Sequence, residues 1–215
     1  FLAASCLPAM LYASLVNPWN TQDLADLERY ALQAVWQGSP HSAIDVVLGF
    51  FISAQADPRV RYLGNSVEAM HRATRRGTLD WPAVVQAVHH GHGHTGPFVA
   101  LRRALEQHGA ELRAGGLTSE AGLLPPHAGL SQTRGWVRGT VRAWRQHRLT
   151  QRRPELGAQW QKADLGLTLP RWHWPEARRA ALRVLLSGGA VPQVQAAKWS
   201  NARATCPHCR VAEET

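Results

Sequence analysis

Lysine, cysteine and long apolar runs are what this 215-residue chain has least of, and each scarcity excludes something. Three cysteines (Cys6, Cys206, Cys209) cannot form a disulfide framework, which rules out a secreted scaffold stapled by bridges. The one strongly apolar stretch, Phe1 to Val16, lacks a basic leader, is interrupted by Pro8 and falls short of the ~20 residues that cross a bilayer. It reads as a buried core helix ended by the turn Asn17-Pro18-Trp19-Asn20, and the protein as soluble, without a membrane partner. Catalytic signatures are missing as well. The sequence holds no Gly-rich phosphate loop, no nucleophile elbow, no paired carboxylates at helical spacing in an apolar segment, and no Asp-Asp pair of a polymerase palm. By itself it reads as a non-enzyme.

What is abundant is arginine. Only Lys162 and Lys198 are lysines among 24 basic residues, and arginine's planar fork suits phosphate and base stacking better than a lysine point charge. A GC-rich genome would produce the same bias, but not its clustering. The net charge is +9 and the pI about 10.7, a balance that points to a polyanion. The charge is uneven. Residues 1–58 carry Arg29 against Asp23, Asp26, Glu28, Asp45 and Asp57, a net of −4, whereas residues 134–183 alone carry +9. Hydrophobic residues at 45% and charged residues at 18% argue against disorder. A chain that opens on Phe1 and closes on Glu213-Glu214-Thr215 reads as part of something longer.

The periodicity is that of a mainly α protein: helical bundles with a short β-hairpin or irregular insert near the middle. Helices are expected from Thr21 (as cap, with Leu24, Leu27, Ala31, Ala34 and Val35 inward), over Ser42–Gln55, and from Asp57-Pro58 to Arg75. Two more follow from Asp80 and from Thr95, ending at Gly109. Between Ala110 and Leu130 the period fails, short strands near Glu111–Arg113 and Leu123–Leu124 fit, and this stretch reads as a joint. Ser131 is expected to cap a sixth helix to about Arg148, with a short seventh over Arg152–Lys162 and an eighth from Trp174-Pro175. The domains expected are therefore a helical subdomain over 1–109, the joint over 110–130, a basic Arg/Trp-rich helical subdomain over 131–200 and a truncated zinc-knuckle half-site over 201–215.

In the sixth helix Arg134, Arg138, Arg142 and Arg145 recur at helical spacing and read as one stripe that tracks a phosphate backbone. Trp136, Val137, Thr140, Val141 and Trp144 fall on the face toward the core. Arg152 and Arg153 extend the basic stretch, and Arg171-Trp172-His173-Trp174 offers indoles that stack on bases. The plainer reading of the same residues is core indoles beside a solvated arginine face. Cys206-Pro207-His208-Cys209 supplies two corners of a zinc tetrahedron, so zinc binds only with ligands missing from this chain. His89, His90, His92 and His94 would bind a transition metal in vitro, but flexible glycines between them do not preorganise a cage. Cys6 reads as a buried small hydrophobe.

At this point a pattern emerges. Leu7-Pro8-Ala9-Met10-Leu11-Tyr12, followed by Leu24, Leu27-Glu28, Ala31-Leu32 and Val35-Trp36-Gln37-Gly38, resembles the segment after the palm in non-LTR (LINE-type) retrotransposon reverse transcriptases. Ala181-Leu182-Arg183 through Leu186-Ser187-Gly188-Gly189, then Cys206-Pro-His-Cys209, resembles the approach to the zinc knuckle of such proteins, with Arg210 where glycine is usual. Together the two ends cover about a third of the chain. The resemblance implies a thumb-and-linker region that grips template RNA or target DNA without the palm, in a nuclear or cytoplasmic setting. The alternative is a helical protein-interaction module, or a decayed remnant of an element with no intrinsic activity.

Overall fold

The computed structural model describes residues 6–35, 44–51, 53–91 and 93–154. It is mainly helical, with a small antiparallel sheet in the middle of the chain. The described part of the apolar run forms one short helix, α1 (Leu7–Met10), with Pro8 in its first turn, followed by a 3-10 turn (Tyr12–Leu15). Leu7 and Leu11 reach the core, but Met10, Tyr12 and Val16 are exposed, so the buried helix expected here is buried along one side only. Cys6 is partly exposed rather than core. Helix α2 (Thr21–Val35) is capped not by Thr21 but by Asn20. Its Oδ1 accepts from the Asp23 N–H at 2.8 Å, while Asp23 accepts from the Asn20 N–H.

The single helix expected over Ser42–Gln55 is three pieces instead: α3 (Ile44–Val46), a π-helical turn (Val47–Phe51) and a 3-10 turn (Ala54–Ala56). Ser53 starts that last turn by accepting from the Gln55 N–H. Helix α4 (Pro58–Arg75) begins as its sequence dictates: Asp57 Oδ1 accepts from the Arg59 N–H at 2.9 Å, and Pro58 sits in the first turn. Gly77, at φ +70°, ends it in the left-handed conformation that other residues resist. Helices α5 (Trp81–His90) and α6 (Pro97–Glu106) follow.

The stretch from Ala110 to Leu130 holds three strands, β1 (Glu111–Arg113), β2 (Gly116–Ser119) and β3 (Gly122–Leu124), in the order β1-β2-β3. The register aligns Leu112, Leu117 and Leu124 across the sheet, and all three are buried. An indole binds one carbonyl of each outer strand. Trp81 Nε1 donates to the Arg113 carbonyl at 3.1 Å, and Trp136 Nε1 donates to the Gly122 carbonyl at 2.9 Å. These leucines share one hydrophobic cluster with Leu24 and Leu27 of α2, Leu63 and Val67 of α4, and Val137 and Val141 further on. Leu112, Leu117 and Leu124 of this stretch therefore share one core with the helices before and after them.

Helix α7 (Leu130–Arg152), 23 residues long, has Gly129 at its cap position, two residues before the expected Ser131, and no side chain caps it. It lies along α4 and reaches α3. Its buried positions include the row Thr133, Val137, Val141, Arg145 and Leu149. Four-residue rows are inclined to the helix axis, so the buried side turns as the neighbours change. At Gly139 the helix meets the β2–β3 turn so closely that a Cβ would stand 2.9 Å from that of Ala121. Among the described residues, no helix is long and apolar enough to cross a membrane.

Candidate nucleic-acid interface

The arginines of α7 part into two groups with different surroundings. Arg145, expected in a phosphate-contacting stripe, is fully buried. Its Nε and Nη2 donate to the two oxygens of Asp57 at 3.1 and 2.7 Å, and its Nη1 reaches Asp45 at 3.1 Å and Glu28 at 2.6 Å. Arg148 fastens to the same Asp45 and Glu28, and Arg59 Nε stands 3.0 Å from Glu28. Three guanidiniums thus face three carboxylates, a closed set in which no charge is left to a ligand. Arg59 and Arg148 also stack on the Trp144 ring, at 4.0 and 4.3 Å from its centroid. The spacing of Arg145 is that of the stripe, but the inclined row carries it inward where α2 and α3 cover the helix; it does not contact phosphate in this fold.

Electrostatics follow the geometry. Burial alone would raise the Glu28 carboxyl, but Arg145, Arg59 and Arg148 outweigh it and hold the group at about 2. Burial opposes the charge on Arg145 too, yet Asp57, Glu28 and Asp45 raise its pKa above the ordinary arginine value. Beside the cluster, burial pushes His108 down to about 3, with Arg59 adding to it. That imidazole is neutral, its Nδ1 2.7 Å from the Ala104 carbonyl.

The other group is open to solvent. Arg134, Arg138 and Arg142 are exposed on the first half of α7. Between α7 and α4 runs a groove of about 710 Å³, whose basic walls are Arg61, Arg134 and Arg138, with Gln55, Asn65 and Ser131 among its polar lining. Glu68 is its acid, and Arg134 Nε donates to it at 3.1 Å. Arg138 Nε donates to the Arg134 carbonyl at 3.2 Å, which lays its guanidinium along the helix. Toward the C-terminal end of α4 the groove meets a smaller pocket of about 310 Å³ lined by His71, Arg72, Arg75 and Arg76, the two sharing Glu68 and Leu130. Sequence reasoning passed over Arg61, Arg72, Arg75 and Arg76, which lie outside the densest run of arginines at 134–183. The signal available was Arg72-x-x-Arg75-Arg76 on one turn of a helix.

Compared with known proteins, the chain matches no family model, no curated protein and no solved structure. The site therefore rests on its own geometry.

Of the remaining residues singled out above, Arg152 is exposed at the end of α7 and Arg153 half-buried. Arg171, Trp172, Trp174, Cys206 and Cys209 lie outside the described residues, as does His92. The other histidines of the loop do not converge on a metal. His89 Nε2 stands 3.0 Å from the Leu112 carbonyl, where it ties α5 to the sheet, and His90 and His94 are exposed. Among the described residues no group of three or more His, Cys, Asp or Glu side chains is placed to hold an ion.

Proposed function

We propose that the chain is a non-catalytic nucleic-acid-binding segment of a retrotransposon reverse transcriptase-type polyprotein, in which the α4–α7 groove grips the phosphate backbone of template RNA or target DNA. The observation that carries this reading is the groove itself, with Arg61, Arg134 and Arg138 on its walls. Guanidiniums spread along a trough suit a polymer of single charges, and each contact made releases counterions. The retrotransposon attribution draws on the sequence resemblance alone. Zinc belongs to the proposal only as a metal that Cys206 and Cys209 would share with ligands beyond this chain.

The test is binding of RNA and of DNA across a salt series. Affinity that falls linearly on a log-log plot, and weakens when Arg61, Arg134 and Arg138 become Gln, supports the reading. No binding at low salt, or binding indifferent to the three changes, overturns it. The competing reading, a helical protein-interaction module, draws on the exposed apolar side chains Met10, Tyr12 and Val16, with Tyr12 86% exposed. It expects association that survives high salt and is lost in Tyr12→Ser.

A further inference from the structure

We propose that the pocket at the C-terminal end of α4 seats the terminal phosphate of a nucleic-acid strand, a phosphomonoester, whose phosphodiester backbone then runs along the α4–α7 groove. The inference rests on the groove reading above and gives that groove an end.

Continuity comes first. The pocket and the groove share Glu68 and Leu130 as walls, so one strand can occupy both. From Arg76 in the pocket to Arg61 in the groove is about 22 Å along α4 at ~1.5 Å per residue, the length of a short stretch of backbone. Beyond Arg76 the helix ends, with Gly77 at φ +70°.

Charge comes second. Arg72, Arg75 and Arg76 are exposed and, among the described residues, enter no ion pair. Three guanidiniums on one pocket exceed what a phosphodiester, with its single charge, requires. A phosphomonoester carries ~1.5 to 2 negative charges at neutral pH and three strong acceptor oxygens. The one acid on the wall, Glu68, is already engaged by Arg134.

The third observation is His71. The residue is 2% exposed and lines this pocket. Its ring leans on Trp81, 5.8 Å between centroids, which fixes its place in the wall. Burial holds it down to about 4, against a hydrogen bond to the Pro126 backbone, so the wall it forms is a neutral imidazole. The same pocket reaches the first turn of α7 at Leu130 and Thr133, where no side chain occupies the helix N-terminus.

Fluorescence anisotropy on the full chain decides the matter, with oligothymidylate strands bearing a 5′-phosphate, a 3′-phosphate or hydroxyls at both ends. One of the two phosphorylated strands is expected to bind about tenfold tighter than the hydroxyl strand. Arg72→Gln with Arg75→Gln, both on the surface, should erase that advantage and leave the hydroxyl strand within about twofold, the unfolding midpoint being checked alongside. Arg134→Gln with Arg138→Gln should weaken all three strands alike. Three strands of equal affinity, an equal gain for both phosphorylated ends, or an advantage that survives the Arg72/Arg75 change would each overturn the pocket and leave the groove standing. No binding of any strand at low salt overturns the groove and the pocket with it.

Discussion

Arg138 and Arg145 stand seven residues apart on one helix, yet they do opposite things. Arg138 lines a solvent-filled groove, while Arg145 is sealed among Glu28, Asp45 and Asp57. The difference lies in what covers each half of α7. The first half packs on α4 and β3, leaving one flank open; the second half is met by α2, α3 and the N-cap of α4, each of which brings one carboxylate. A charge asymmetry between two lengths of sequence can therefore mean a partner elsewhere in the same chain. Three of the five acids in residues 1–58 go to hold two arginines of α7. Arg134, Arg138 and Arg142 along this helix, and Arg152 at its end, are exposed to an outside polyanion.

The sharpest way to break this comparison is to treat both halves alike. Arg145→Ala leaves Asp57 and Glu28 buried without their main counter-charge, and removing one partner of a buried ionic set typically costs about 3–5 kcal/mol. For a domain of ordinary stability that is a large fraction of the whole. We expect a severe drop in the chemical unfolding midpoint for Arg145→Ala and almost none for Arg138→Ala, within about 0.5 kcal/mol. Equal losses at the two positions would refute the division.

Acid should act on the buried half next. Glu28 is held at about 2 in the folded chain against 4.5 as its ordinary value. Its folded value is depressed, so its contribution is complete above pH 4.5 and is lost as pH falls toward 2. The shift corresponds to about 3 kcal/mol. His71 and His108 run in the same direction, held at about 4 and about 3 against 6.5. The unfolded chain binds their protons first, so stability begins to decline below pH 6.5 and steepens below 4.5. Urea midpoints measured from pH 7 to pH 3 should trace that two-stage fall; a flat profile down to pH 4 would contradict it.

How much of this was legible depends on what each signal measures. Asp57-Pro58 announced the start of α4, and the glycines after Arg75 and Glu106 its end and that of α6, because caps are local chemistry. Leu24, Leu27, Leu63, Val67 and Met70 were readable as core because helical periodicity reports one buried face. Arg145 was not readable. Its burial depends on Asp57, 88 residues away, and on Asp45, 100 away, and spacing within one helix is silent on such partners. The groove had the same difficulty, since half of it belongs to α4, where the sequence reading assigned Arg61, Arg72, Arg75 and Arg76 no role. The sheet was half visible: its outer strands were expected, but β2 begins at a glycine held at φ +137°, which reads locally as a turn.

On the open half, the expected change is in binding, not in stability. Arg134→Gln with Arg138→Gln removes two backbone contacts. For a single strand each contact contributes about 0.7 to the slope of log affinity against log salt, so the slope should shrink by about 1.4. Titrations of one strand at several salt concentrations would read this. A slope unchanged by the double substitution would mean that these arginines face solvent only.

The smallest effect has the most to say about how the groove is tuned. Glu68 is the only carboxylate on its walls, its side chain 20% exposed and bound to Arg134, which is itself 59% exposed. An exposed pair of this kind contributes about 0–1 kcal/mol, so Glu68→Gln should barely alter the unfolding midpoint. Its influence on a phosphate is of the opposite sign. The carboxylate draws Arg134 toward α4 and adds a negative charge to the trough, so removing it frees one cation and deletes one repulsion. At contact distances in water such a charge is worth about 1 kcal/mol, which corresponds to several-fold tighter binding at low salt that fades as salt rises. A weaker complex after Glu68→Gln would mean that Glu68 presents Arg134 to the strand instead of competing for it, and the groove would then be built around the ion pair, as the buried half of α7 is built around its own.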